Sequence, residues 1–190
     1  MKRTVFFVSL GLMSVFLIAQ AQDRQAPPME PGCSLTRPAV KHQIFGHAFG
    51  SQVGTENDSA CPPAGCFKGI ALAKAVGYPG PAQFSSTFAY DAQPTGPDER
   101  CPEGWLAFNV LANEWGEIFE DNSLLKGAVD PGQVYCVNPS YPGPGVEAIA
   151  DLTGTVWGGL GRFEGATGTW TATLRTGVNF TGTFTVYCDN

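Results

Sequence analysis

The sequence predicts an all-β fold, a barrel or sandwich of short strands stapled by disulfides. Three observations carry that prediction. Short runs rich in Val, Phe, Thr and Tyr recur along the chain, several with the two-residue alternation of half-buried strands. Gly and Pro cluster between them, at residues 77–81, 94–97, 139–145 and 158–161, where they supply turn chemistry rather than crossover helices. Six cysteines, Cys33, Cys61, Cys66, Cys101, Cys136 and Cys188, are an even number in a chain with an export leader, which reads as a disulfide framework. Their pairing is open, although Cys61 and Cys66 are close enough for a local loop clip and Cys188 is placed to tie the last strand to a distant one.

The leader comes first. Lys2 and Arg3 precede an apolar run from Val5 to Ile18, and Ala19-Gln20-Ala21 follows as a small-x-small cleavage site. Residues 1–21 therefore read as a signal peptide, with the mature chain starting at Gln22 and a secreted or periplasmic location. A transmembrane anchor is not expected, because spanning a bilayer takes about 20 apolar residues and this run is shorter, with a polar, Pro-containing stretch directly after it. Residues 22–40, with Pro27, Pro28 and Pro31, form an irregular lead-in pinned by Cys33. The remaining segment, 41–190, is of ordinary size for one domain.

Within it, strands are expected over 44–53, 69–76, 83–90, 104–111, 133–137, 148–157, 168–174 and 180–187. The alternation is clearest at the end: Trp170, Ala172 and Leu174 oppose a row of threonines, and so do Gly182, Phe184 and Val186. Eight strands favour a closed barrel, since closure leaves no exposed edge. One stretch dissents. Residues 113–126 contain Glu114, Glu117, Glu120, Leu124, Leu125 and Lys126, helix formers that suggest a turn or two of helix, although Trp115, Ile118 and Phe119 also suit a strand.

The chain has 11 basic and 17 acidic residues, and loss of the leader with Lys2 and Arg3 leaves 9 against 17, a net charge of −8. Such a balance argues against nucleic acid or anionic membranes as partners, both of which call for clustered Lys and Arg.

Gly158-Gly159-Leu160-Gly161-Arg162-Phe163-Glu164-Gly165-Ala166-Thr167-Gly168, with the Thr-rich strand after it, resembles the G-G-T-G-R-F-x-G-A-T-G segment of bacterial secreted proteins related to the allene oxide cyclase and dirigent barrels. Leu160 stands where Thr is usual. The resemblance is strong over residues 151–187 and looser before. It implies an eight-stranded antiparallel barrel of that type and, from the plant members, a homo-oligomer as candidate assembly. It carries over Gly158, Gly159, Gly161, Phe163, Ala166 and Gly168 as fold-making residues, the glycines for a tight connection and Phe163 with Ala166 as a plug for the barrel end. It transfers no active-site residue. A phosphate-binding loop is the competing reading of these glycines, but the Lys-Ser/Thr and helix that reading needs are missing.

Candidate chemistry is sparse. Glu114, Glu117, Glu120 and Asp121 are the ligand-binding candidates, as paired carboxylates or oxygen ligands for calcium; at three-residue steps the glutamates read more simply as one solvated helical face. His42 and His47, five apart, fall on opposite faces of a strand, so they predict ordinary hydrogen bonds and no metal site. No nucleophile elbow occurs, and oxidised cysteines offer no thiolate. No cofactor is expected. Trp105, Trp115, Trp157 and Trp170 either line an apolar pocket in the barrel mouth or fill the core or an interface between barrels. The reading that results is a secreted, non-catalytic barrel serving as a binding or structural module. Its alternatives are an isomerase or cyclase of the same fold, or a carrier, acting on a small apolar ligand in the barrel cavity. An inward Glu or Asp beside an Arg or Tyr would favour the enzyme, and a cavity filled by Phe and Trp the module.

Overall fold

Strand after strand pairs with its neighbour in sequence, and the last returns to the first. The computed structural model describes residues 38–54, 61–143 and 146–188. The strands are β1 (Val40–Val53), β2 (Cys66–Tyr78), β3 (Ala82–Asp91), β4 (Leu106–Phe119), β5 (Leu124–Val129), β6 (Val134–Val137), β7 (Ala148–Leu160), β8 (Gly168–Thr176) and β9 (Phe180–Cys188), with one 3-10 turn, Gly161–Phe163, between β7 and β8. All their pairings are antiparallel, and β1 closes the ring by pairing with β2 on one side and β9 on the other. Segments β5 and β6 both lie between β4 and β7, end to end, so nine segments fill the eight positions of a closed barrel. The break between them is Asp130-Pro131-Gly132-Gln133, where Pro131 cannot donate to a ladder and Gly132 takes φ 81°.

Two disulfides with both cysteines among the described residues fasten the wall. Cys61–Cys66 clips the entry to β2, and Cys101–Cys136 ties the loop before β4 to β6. Beside the latter, Arg100 grips both carboxylate oxygens of Asp98 and donates to the Gly132 carbonyl, which pins the loop over the β5–β6 break. No described cysteine is a free thiol. Residues 1–21, read from the sequence as a signal peptide, most of the lead-in and Cys33 lie outside the described residues.

The interior is built from aromatic rings seated on glycines. In register, Trp115 lies across from Gly127 and Trp170 across from Gly154. A methyl group on Gly154 would sit 2.6 Å from the Trp170 indole, and one on Gly127 would sit 2.8 Å from that of Trp115. Each glycine thus vacates the space its opposite tryptophan fills. The Trp170 indole N–H donates to the Ala128 carbonyl at 3.0 Å, and Trp115, Trp170 and Phe184 meet at centroid distances of 4.5 to 5.8 Å. An indole so placed withdraws roughly 150–250 Å² from water, roughly 4–6 kcal/mol before the entropy of ordering it.

The Gly-rich connector closes one end. Gly161 adopts φ 64°, and a Cβ there would press on the Ser123 hydroxyl at 2.7 Å. The turn it permits drives Phe163 inward to 4% exposure against Phe119, while Ala166 packs on the core from outside.

The helical expectation for 113–126 is overturned. That stretch is the second half of β4, a turn, and the start of β5. Trp115, Glu117 and Phe119 point inward and Glu114 and Ile118 outward, and pairing to β3 and β5 on both sides outweighs the modest helix propensity of glutamate. Asn122, at φ 62°, makes the turn.

Substituting Gly154 by Ala forces its methyl into the Trp170 indole and the Ala128 carbonyl oxygen at once. The expected cost is about 2–3 kcal/mol, read as a lower urea midpoint with an unchanged slope.

Candidate functional site

The four acidic candidates do not converge. Glu114 is exposed on the outer wall, Glu117 is fully buried inside, and Glu120 and Asp121 are exposed at the β4–β5 turn. This corrects the single solvated face expected of the glutamates: a strand sends Glu117 to the side opposite Glu114. Among the described residues no group of three or more His, Cys, Asp or Glu side chains is placed to hold a metal ion, so the calcium reading has no site there. Asp121 serves the turn instead. Burial works to raise its pKa, but hydrogen bonds from Ser123 and the charge of Arg162, 3.4 Å away, hold the carboxyl below its usual range.

Glu117 has a partner from across the barrel. Its Oε1 lies 2.9 Å from His42 Nδ1, and both side chains are shielded from solvent. The other ring nitrogen, Nε2, lies 2.8 Å from the Gly80 carbonyl, which can only accept, so Nε2 carries a hydrogen and a single proton is shared between Nδ1 and the carboxyl. Burial raises the Glu117 pKa, and the hydrogen bond and charge of His42 only partly offset it. Its second oxygen has no hydrogen-bond partner, a lesser burden for a protonated acid than for a carboxylate. The pair joins β1, β4 and the β2–β3 turn next to the Phe163 plug. It is a clasp, out of reach of any ligand. His47 is exposed, of opposite parity to His42 as their spacing predicts, and stands beside Phe49 at the rim of the cavity at the other end of the barrel.

Among the described residues, the other end of the barrel is open. A cavity of about 300 Å³ lies among Phe49, Phe88, Tyr90, Tyr135, Ile149 and Phe180, with the β8–β9 turn at its rim. Rings crowd one side of it. Phe67 and Phe88 lie nearly parallel to Tyr90 with centroids at 5.2 and 6.1 Å, and Tyr135 lies 5.3 Å from Tyr90. A register shift between β3 and β4 at Ala89/Tyr90 marks where the wall bends to turn these rings inward.

A short polar chain runs behind the rings. The Ser86 hydroxyl donates to Asn113 Oδ1 at 3.0 Å, and Asn113 Nδ2 donates to the Tyr135 phenolic oxygen at 2.9 Å. All three residues are buried. Burial pushes the Tyr135 pKa up to about 12 and raises that of Tyr90. The described residues lining the cavity include no Asp, Glu, Lys or Arg.

Sequence reasoning did not single out Ser86, Tyr90, Asn113 or Tyr135. The available signal was parity: Ser86 shares a face with Phe84 and Phe88, and Asn113 shares one with Trp115, polar residues at inward positions. Of the tryptophans, Trp115 and Trp170 fill the core and Trp157 is half exposed with Lys126 over its ring at 4.2 Å; none lines the mouth. Among the described residues no helix is long and apolar enough to cross a membrane. No family model, no curated protein and no solved structure matches the chain.

The raised pKa of Glu117 fixes the sign of a pH effect. The folded state holds this proton more tightly than the unfolded chain, whose carboxyl titrates near 4.5, so the stability is complete below that pH and is lost as pH rises through the folded value. Relative to Glu117→Gln, the native chain should therefore lose unfolding free energy as pH climbs above 4.5. Glu117→Ala, which strips His42 of its partner, should cost about 3–5 kcal/mol at neutral pH, both read by urea titration.

Proposed function

We propose that this chain is a secreted, non-catalytic binding module of the allene oxide cyclase and dirigent type, which takes up a small apolar molecule in the open mouth of its barrel. The observation that carries this is the division of the interior: Trp115, Trp170 and Phe184 fill the middle, while the open end keeps a cavity of about 300 Å³ walled by aromatic rings. That volume suits one small molecule and falls at the low end for ligand sites. The Gly-rich connector, with Phe163 turned into the barrel, supports the family reading through the role its residues play.

Isomerase or cyclase chemistry has less to rest on. The buried acid has His42 rather than Arg or Tyr beside it, and the pair lies at the closed end, with Trp115, Trp170 and Phe184 between it and the cavity.

A second reading, self-association, is favoured by the outer wall. Ile70, Leu72 and Trp157, each about half exposed, border a shallow groove with Ser85, Thr87 and Gly116, along which Glu114 and Lys126 also lie, and Ile118 and Leu160 are further exposed apolar residues. Contiguous apolar surface of this kind marks contact faces.

Two measurements test these readings. Titration of N-phenyl-1-naphthylamine into the oxidised protein should give saturable, blue-shifted emission, abolished in Ala48→Trp, whose indole fills the mouth; linear, non-saturating emission would sink the binding reading. Sedimentation velocity should show an oligomer that Leu72→Asp converts to monomer, and a native monomer would remove the second reading.

A further inference from the structure

The polar chain behind the mouth dictates what the ligand must carry. Tyr135 receives the Asn113 amide hydrogen on its phenolic oxygen. In the structure the Ser86 hydroxyl faces the amide oxygen at 3.0 Å, with the Thr87 carbonyl at 3.3 Å as its other acceptor, and the amide N–H₂ faces the phenol. Tyr135 therefore keeps its own proton, and no group among the described residues accepts it. The residue is nine-tenths buried and forms part of the cavity wall, so that proton is an unspent donor in an apolar chamber. The Tyr90 hydroxyl, on the same wall, likewise makes no hydrogen bond to any described residue.

Around the donor, the near-parallel faces of Phe67, Tyr90 and Phe88 present flat surface on one side, with aliphatic groups such as Ile149 and Leu174 elsewhere. Without Lys or Arg in the wall, an anion entering here would lose its hydration with no opposite charge to replace it. We propose that the mouth is a site for neutral, flat molecules of one or two rings that bear an accepting oxygen, aryl ketones and quinones being the fitting class, with Tyr135 donating to that oxygen. The inference rests on the binding reading above and adds to it the polarity and charge of the ligand.

Asn113 is the positioning residue, since it sets the phenol's role as donor to the ligand. Its amide and the ligand oxygen would then complete the hydrogen bonding of Tyr135.

The test compares two probes of nearly equal shape, 2-acetylnaphthalene and 2-ethylnaphthalene, on the oxidised full-length mature protein. The ketone should bind about tenfold more tightly than the hydrocarbon, as one buried hydrogen bond provides, and Tyr135→Phe should erase that difference while leaving hydrocarbon affinity within about twofold. Independently of any variant, the carbonyl stretch of the ¹³C-labelled ketone should move to lower frequency on binding to the native protein. Equal affinities with an unshifted carbonyl band would overturn the donor assignment and leave the binding reading intact. Failure of both probes to bind would remove the binding reading and this inference together. Tighter binding of naphthoate than of the ketone would overturn the neutral-ligand class alone.

Discussion

Everything in this barrel depends on pairing a tryptophan with a glycine across neighbouring strands. An eight-stranded barrel is narrow, and two indoles at one level fit only if the walls facing them carry no side chain. Gly127 and Gly154 meet that condition for Trp115 and Trp170, and Phe184 packs edge-on to Trp115 and tilted against Trp170. With its centre blocked in this way, the barrel has two separate ends rather than one through-channel. One is sealed by Phe163, Phe119 and the His42–Glu117 clasp, and the other holds the cavity.

Much of this arrangement was legible in the sequence. Alternation placed seven of the strands close to their true extents, because inward residues such as Trp170, Ala172 and Leu174 contrast with the threonines between them. Cys61 and Cys66 were legible as a clip from proximity alone. What failed was the stretch around Glu117. A charged residue at an inward position breaks the alternation on which strand reading relies, and the glutamates around it mimic a helical face. The broken rhythm has its cause 75 positions away in His42, a partner that no local pattern announces. The segment β5 was lost for the same reason, since its Leu124 and Leu125 were absorbed into the supposed helix.

The candidate site was less legible than the fold. A pocket is a property of how strands bend and how far rings reach, and Tyr90, Tyr135 and Asn113 come together from three separate strands. Their sequence contexts differ, with Tyr135 next to a disulfide cysteine and Asn113 among glutamates. Parity of polar residues was the one usable trace. By contrast, the Gly-rich connector was conspicuous because all its parts are consecutive, and its role is to seal the end away from the cavity.

The interruption between β5 and β6 gives the wall an expansion joint. One barrel position is filled by two half-strands, and the half nearer the mouth is fastened by Cys101–Cys136 and by Arg100 to the loop before β4, whereas the other half is fastened by Trp115 and the sealed end. Strain introduced on one side of Asp130–Gln133 reaches the other only through the flanking strands β4 and β7, not along the interrupted strand itself. The rim can then be recut, residue by residue, for new ligands while the seal behind it keeps its register, and the two ends are free to diverge at different rates.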